Sequence, residues 1–458
     1  MSEVATPGLL DRAIRRITTV WREMAAGVED ESIAAQMRAC LTARGGEVSA
    51  RNRAAKLAET YQRLDDGGRR EFLRTLASFD SDPDAVAAAY AEVQAAEDPA
   101  ERATAKAALR RALEPPRLRL LTQFTSIPDG RKFLVDLRAF LLRNRKDDKL
   151  LAALEADLRG LLAAWFDIGF LEMQRIDWNS PAVLLERLVE YEAVHAIRSW
   201  RDLKNRLDSD RRCYAFLHPR MPGEPLIFVE VALVKGLAGS VQSLLDESEP
   251  AADLRKADTA IFYSISSTQR GLRGISFGNF LIKRVVEELS AEFRNLRTFA
   301  TLSPVPGFRS WLDTKLSESE SRVLSDDESA SLMSAMPAQS GVEALAAIVA
   351  KRGWWREAGL RKTAEPVLLR LCARYLLIET NGRRARDPVA HFHLSNGARI
   401  ERLNMLGDTS EKGAKESATL MVNYLYDPQK IEDWHEDYAG EGKRNASTTV
   451  RRLARGWA

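Results

Sequence analysis

Ser303 stands where a β-type run (296–302, LRTFATL) meets the turn Ser303-Pro304-Val305-Pro306-Gly307-Phe308. A hydroxyl so placed can hold a carboxylate or relay a proton, with backbone N–H groups near the turn available to a developing oxyanion. Upstream, a second β-type run (260–266, AIFYSIS) ends in Gln269-Arg270-Gly271-Leu272-Arg273-Gly274, with Gly278 beyond, and a helix-period segment follows at once. Glycines let the backbone approach phosphate oxygens, Arg270 and Arg273 add charge-assisted contacts, and the helix N-terminus presents partial positive charge. If the two strands are neighbours, the segment proposes a phosphate-bearing ligand beside a reacting group. An ordinary glycine-rich strand-to-helix turn has the same pattern, so the loop alone leaves both readings open.

The chain has five histidines, two of which flank Phe392 in Ala390-His391-Phe392-His393-Leu394-Ser395-Asn396-Gly397. Read as a strand over 389–394, alternation puts both imidazoles on one face. A metal pair would need a further ligand, and none stands nearby at ligand spacing. A general acid fits better, because an unperturbed imidazole titrates at about 6.5; a hydrogen-bonded core histidine is the remaining alternative. His195 reads as a helix-end residue, His218 as a loop residue and His435, in IEDWHEDY, as surface. Asn423-Tyr424-Leu425-Tyr426 alternates like a strand, and the tyrosine hydroxyls there could orient a ligand; Tyr426 and Asn423 are the candidates to contact it, while buried tyrosines bonded to backbone read the same way.

Residues 1–165 carry apolar positions at three- and four-residue steps, such as Leu134, Leu137 and Leu141, and Leu9 to Met24 reads as a first structural helix rather than a targeting segment. Breaks at Gly45-Gly46, Asp65 to Gly68, Asp82-Pro83, Pro115-Pro116 and Pro128 to Gly130 cut this region into the segments of an antiparallel helical bundle. After Trp165, short β-type runs (225–234, 260–266, 298–302, 389–394) alternate with helical patterns, as in a mixed α/β domain. The Ser/Glu/Asp-rich stretch 314–345 reads as exposed helix and loop. A chain of 458 residues with 68 basic and 65 acidic side chains is long enough for two domains and lacks the basic excess of a bulk nucleic-acid binder. Three scattered cysteines suit free thiols in a reducing compartment, no apolar run reaches the roughly 20 residues of a membrane span, and the C-terminal Arg-Gly-Trp-Ala is not a peroxisomal address. A cytoplasmic protein is expected.

Six stretches together resemble the malonyl-CoA decarboxylase family: 213–233 (CYAFLHPRMPGEPLIFVEVAL), 260–274 (AIFYSISSTQRGLRG), 277–289 (FGNFLIKRVVEEL), 301–308 (TLSPVPGF), 387–398 (DPVAHFHLSNGA) and 416–428 (ESATLMVNYLYDP). They run in the family's order and span most of 165–430. The resemblance implies an α + α/β multidomain chain. An all-α helical bundle (1–165) would serve oligomerisation, as a homodimer or homotetramer. A mixed α/β catalytic domain (166–458) with the acyl-CoA N-acetyltransferase (GNAT) fold would follow, its CoA-binding strand-loop-helix at 260–293. Carried over by motif, Ser303 and His393 are the catalytic pair, Tyr426 supports them, and Gln269, Arg270, Gly271, Arg273 and Gly274 face the CoA phosphates. The loop spaces its glycines differently from the superfamily's Gln/Arg-x-x-Gly-x-Gly/Ala, and Ser276 stands where some members have Glu, so no carboxylate acts there. The implied reaction turns malonyl-CoA into acetyl-CoA and CO2 with no metal or organic cofactor, since the thioester is itself the electron sink. An N-acetyltransferase using the same cradle and a non-catalytic acyl-CoA-binding scaffold are the other readings. No nucleic-acid or membrane partner is expected.

Overall fold

The structure, a computed structural model, describes residues 32–42, 47–275, 281–318 and 323–455. The segment from Leu9 to Met24, together with Gly45-Gly46, Ser276 and Gly278, lies outside these. The chain divides into two compact units. One comprises residues 1–165 with 270–275, the other 166–269 with 276–458.

The first unit is helical: α1 (Ile33–Leu41), α2 (Glu47–Arg63), α3 (Asp66–Ala77), α4 (Pro83–Ala95), α5 (Pro99–Leu113), α6 (Pro116–Gln123), α7 (Gly130–Asn144) and α8 (Lys149–Trp165). The punctuation in the sequence works through capping. Asp65, Asp82 and Asp98 each accept backbone N–H bonds at a helix start, and α4, α5 and α6 each begin on proline. Phe72, Leu76, Leu121, Leu134, Leu137, Leu141, Leu154 and Leu158 form the core. Helices α4 and α5 bury only Ala89 and Ala105 and leave Tyr90 and Leu113 more than half exposed.

The second unit is built on an eight-stranded sheet in the order β1-β2-β3-β4-β5-β10-β6, with β9 also on β10. Its strands are β1 (Glu172–Ile176), β2 (Arg211–Leu217), β3 (Pro225–Val234), β4 (Thr259–Ser267), β5 (Thr298–Thr301), β6 (Ser303–Pro304), β9 (Arg399–Asn404) and β10 (Met421–Tyr426); a separate two-residue hairpin is formed by β7 (Thr380–Asn381) and β8 (Arg384–Ala385). The helices are α9 (Ala182–Tyr191), α10 (Trp200–Arg206), α11 (Val241–Leu244), α12 (Leu281–Glu292), α13 (Phe308–Ser317), α14 (Asp326–Ala335), α15 (Gly341–Ala350), α16 (Ala358–Leu377), α17 (Pro388–Ser395), α18 (Glu411–Ser417), α19 (Ile431–Glu441) and α20 (Thr448–Arg455). One pair, β4 with β5, is parallel, as a crossover through α12 requires; Leu281, Ile282, Val285, Val286 and Leu289 bury that helix's apolar face. The stretch expected as exposed helix and loop contains the end of α13, all of α14 and the start of α15. Among the described residues, no helix is long and apolar enough to cross a membrane.

The strand expected over 389–394 is instead helix α17. Asp387 caps it through the N–H groups of Val389 and Ala390, Pro388 occupies its first turn, and Gly397 leaves it at φ 76°. A Cβ at Gly397 would overlap the Ile431 carbonyl, so only glycine fits that exit. Two residues along a helix is a turn of about 200°, so His391 and His393 point to different faces and the metal-pair reading has no geometry.

In the first unit, the 3-10 turn Arg270–Leu272 packs on α7, where a Cβ on Gly271 would overlap the Val135 carbonyl. The buried Arg138 donates to the carbonyls of Gly271 (2.5 Å) and Arg273 (3.0 Å) and pairs with Glu155 at 2.8 Å, which Arg145 also contacts. Removing one partner of a buried ion pair leaves a charge unbalanced. Arg138→Met is therefore expected to destabilise this unit by about 3–5 kcal/mol in urea denaturation, and Arg138→Met/Glu155→Met to regain only part of that loss, because the Gly271 and Arg273 carbonyls still lack their donor and Arg145 loses its partner.

Candidate active site

Strands β4 and β5 pair from Thr259↔Thr298 to Phe262↔Thr301, and Leu302 N–H bonds the Phe262 carbonyl. Beyond that point β4 runs on to Ser267 paired with β3 alone, while the other chain turns through Leu302 into β6. Ser303 there pairs with Val422 of β10. Alternation puts Thr301, Ser303, Tyr424 and Tyr426 on one face of the sheet, and α17 packs its His393 against that face.

The polar groups form one chain. Ser303 Oγ lies 2.9 Å from His393 Nε2, and His393 Nδ1 lies 2.8 Å from the Tyr426 hydroxyl. Ser303 in turn donates to Thr301 Oγ1 at 2.9 Å, an oxygen that also accepts the Tyr424 N–H. With the Ser303 proton committed to Thr301, consistency assigns the Nε2 proton to His393, donated to Ser303, and makes Nδ1 the acceptor of the Tyr426 O–H. The imidazole lies against the Tyr424 ring, centroids 4.5 Å apart and planes 26° from parallel. Ser303, His393, Tyr424 and Tyr426 are all buried. Burial lowers the His393 pKa to about 3, so this imidazole is neutral near pH 7 and does not titrate at the ordinary 6.5.

Other expected site residues fall differently. Asn423 points to the opposite face, where its amide donates to the carbonyls of Ala238 and Thr301 and its oxygen accepts from Arg402 and Asn404. All four of its hydrogen-bonding positions are thus taken by the protein, and it serves the sheet rather than a ligand. Gln269 is buried, donating to the Pro225 carbonyl at 3.1 Å. Arg270, Arg273 and Gly274 are exposed, and Arg159 of α8 reaches the Gly274 carbonyl at 3.3 Å. The N–H groups of the serine turn are mostly committed. Prolines 304 and 306 have none, Gly307 donates to Asp387 and Phe308 to Val305. The turn is therefore a poor oxyanion hole.

His195 sits in a turn after α9, where Glu192 accepts its backbone N–H, and burial lowers its pKa to about 4. His218 is buried against the Phe166 ring. His435, expected at the surface, is half-buried and its Nδ1 donates to the Ser395 carbonyl, tying α19 to the end of α17. Sequence reasoning passes over Thr301 and Asp387. A signal for Asp387 is present: Asp-Pro ahead of an apolar stretch marks a helix start.

A sheet carrying a buried Ser–His–Tyr chain at the end of a parallel strand defines an enzyme-like α/β unit, which follows a helical region in sequence. The family models for the malonyl-CoA decarboxylase C-terminal and N-terminal domains match residues 169–457 and 79–166. The mitochondrial malonyl-CoA decarboxylase of Anser anser anser is 38% identical over 82% of this chain and 78% of its own length, and that of Mus musculus 37% over 75% and 72%. The crystal structure of malonyl-CoA decarboxylase from Rhodopseudomonas palustris superposes with a TM-score of 0.84 at 40% identity, covering 92% of this chain and 98% of the other; that from Agrobacterium vitis gives 0.83 at 40%, covering 92% and 99%. The chain belongs to the malonyl-CoA decarboxylase family.

The depressed His393 pKa has a signed consequence. Between about 6.5 and 3 the unfolded chain binds a proton that the folded chain does not, so the stability tied to the neutral imidazole is full above 6.5 and lost as pH falls. Wild type should therefore lose roughly 1.4 kcal/mol per pH unit below 6.5 that His393→Gln does not lose. His195 adds the same sign in both proteins. Urea denaturation at several pH values reads the difference, and equal slopes would mean that His393 titrates normally.

Proposed function

We propose that this protein decarboxylates malonyl-CoA to acetyl-CoA and CO2, with Ser303 and His393 as its catalytic residues. The observation that carries the assignment is the 2.9 Å contact between Ser303 Oγ and His393 Nε2, in a chain belonging to this family. As CO2 leaves, the electron pair of the broken C–C bond becomes the enolate of the thioester. The Ser303 hydroxyl turns from Thr301 to the substrate, where it holds the departing carboxylate and then protonates the α-carbon. His393 refills it from Nε2, acting as general acid through Ser303. The α-carbon of a thioester enolate is more basic than a serine alkoxide or an imidazolate, so a neutral donor suffices. Tyr426, donating to Nδ1, keeps the imidazole in the tautomer that has a proton at Nε2. Solvent restores the single proton consumed per turnover.

The loop from Gln269 to Gly274 is the proposed CoA phosphate site. Its exposed Arg270 and Arg273 support that role, as does the strand-turn-helix sequence it shares with GNAT-type cradles. The separation of β4 from β5 beyond Phe262 favours the same fold assignment for the 166–458 domain. The thin burial of α4 and α5 favours assembly of a homo-oligomer through the helical domain. A cytoplasmic location is proposed, although the two animal relatives are named as mitochondrial.

Purified protein incubated with malonyl-CoA alone is expected to release CO2 and acetyl-CoA; a requirement for an amine acceptor, or no turnover, would sink the assignment. His393→Ala should abolish turnover while leaving malonyl-CoA binding largely intact. Ser303→Ala should lower kcat by about 10²–10³, the usual cost of one positioned donor. Arg270→Ala and Arg273→Ala should mainly raise KM, because phosphate contacts persist from ground state to transition state.

A further inference from the structure

Asp387 is fully buried, and among the described residues no lysine or arginine forms an ion pair with it. Its Oδ1 accepts the N–H groups of Val389 (2.9 Å) and Ala390 (3.0 Å), which start α17. Its Oδ2 accepts the N–H of Gly307 at 3.2 Å and the Tyr375 hydroxyl at 3.4 Å. A serine, threonine or asparagine would cap the helix equally well. None has a second acceptor oxygen for Gly307, and the amide of asparagine would set a donor against that N–H. The carboxylate is therefore matched to bonding on two sides rather than to capping alone.

Both sides lead to the proposed reacting atoms. Gly307 follows Ser303 through Pro304-Val305-Pro306, whose prolines fix φ and make the connection stiff. His393 lies on the same eight-residue helix that Asp387 caps. At Gly307 a Cβ would overlap the Tyr375 hydroxyl, so any larger residue would have to displace that phenol from Asp387. We infer that Asp387 is a positioning residue that sets the distance between Ser303 and His393 by tying the serine turn to the helix carrying the histidine. The inference rests on the proposed decarboxylation for its kinetic readout only.

Asp387→Asn, in the full-length protein, keeps the helix cap and loses the Gly307 acceptor. Displacing reacting groups by about 1 Å costs on the order of 10²-fold in rate, so kcat for malonyl-CoA should fall by about that factor. KM should stay within about threefold, since ground-state binding is untouched. In a Ser303→Ala background the same substitution should lower the residual rate by less than about threefold, because the pair it aligns is already broken. A full multiplicative loss in both backgrounds, or a lowered thermal midpoint with unchanged kcat, would make Asp387 purely structural. If Asp387→Asn does not fold, Tyr375→Phe removes one donor to Oδ2 and no backbone contact; it should show the same non-additivity with Ser303→Ala, and independent effects overturn the inference. An activity-free measurement separates this from the functional assignment. In histidine-labelled protein the His393 ring N–H resonance should move in Asp387→Asn even if wild type releases no CO2, and an unchanged resonance counts against positioning.

Discussion

A single buried carboxylate joins two backbone segments that lie eighty residues apart in sequence. Asp387 accepts N–H groups from the start of α17 and from the turn after Ser303, and a phenol from α16 completes its partners. Burial raises its pKa, and the N–H groups at the helix start and Gly307 oppose that shift. An unpaired charge in such a place is tolerated only because every partner donates a hydrogen bond and the helix N-terminus faces it. The turn leads to Ser303 and the helix carries His393, so their geometry depends on how well this one group is satisfied.

The serine–histidine chain obeys the same constraint in neutral form. Tyr426, His393, Ser303 and Thr301 each find a partner on one face of the sheet, and none carries charge. A charged imidazole would be costly in that setting, which is why the pKa falls so far. A malonyl carboxylate entering beside Ser303 would bring an anion to a site otherwise poor in charge. Its attraction for a proton on His393 would then depend on substrate being bound. The opposite face is structural, since Asn423, with Arg402 and Asn404, holds β9, β10 and the Ala238 segment together.

Much of the fold is legible in local pattern. The runs at 225–234 and 260–266 appear as β3 and β4, and the helix-period segment after the glycine loop appears as α12. Asp65, Asp82 and Asp98 in the helical region act as caps, because their preference is set within a few residues of chain. The 389–394 segment imitates a strand because Val389, Phe392 and Leu394 resemble a strand's apolar content. The helix is selected by Asp387 and Pro388 ahead of it and by Gly397 behind it, which are the stronger signals.

By itself the sequence offered the candidate residue types: a serine at a strand's end, a histidine between apolar neighbours, a tyrosine in an alternating run, and a glycine loop with two arginines. It also determined the family, because those motifs are specific in order and content. Tertiary structure alone decided that Ser303 and His393 touch across ninety residues. It decided too that His393 is neutral, that Asn423 faces away, and that Gly271 packs against α7. Residue type sets which bonds a side chain can make. Burial and long-range pairing set which partner it meets and which charge it keeps, and neither is encoded in local spacing.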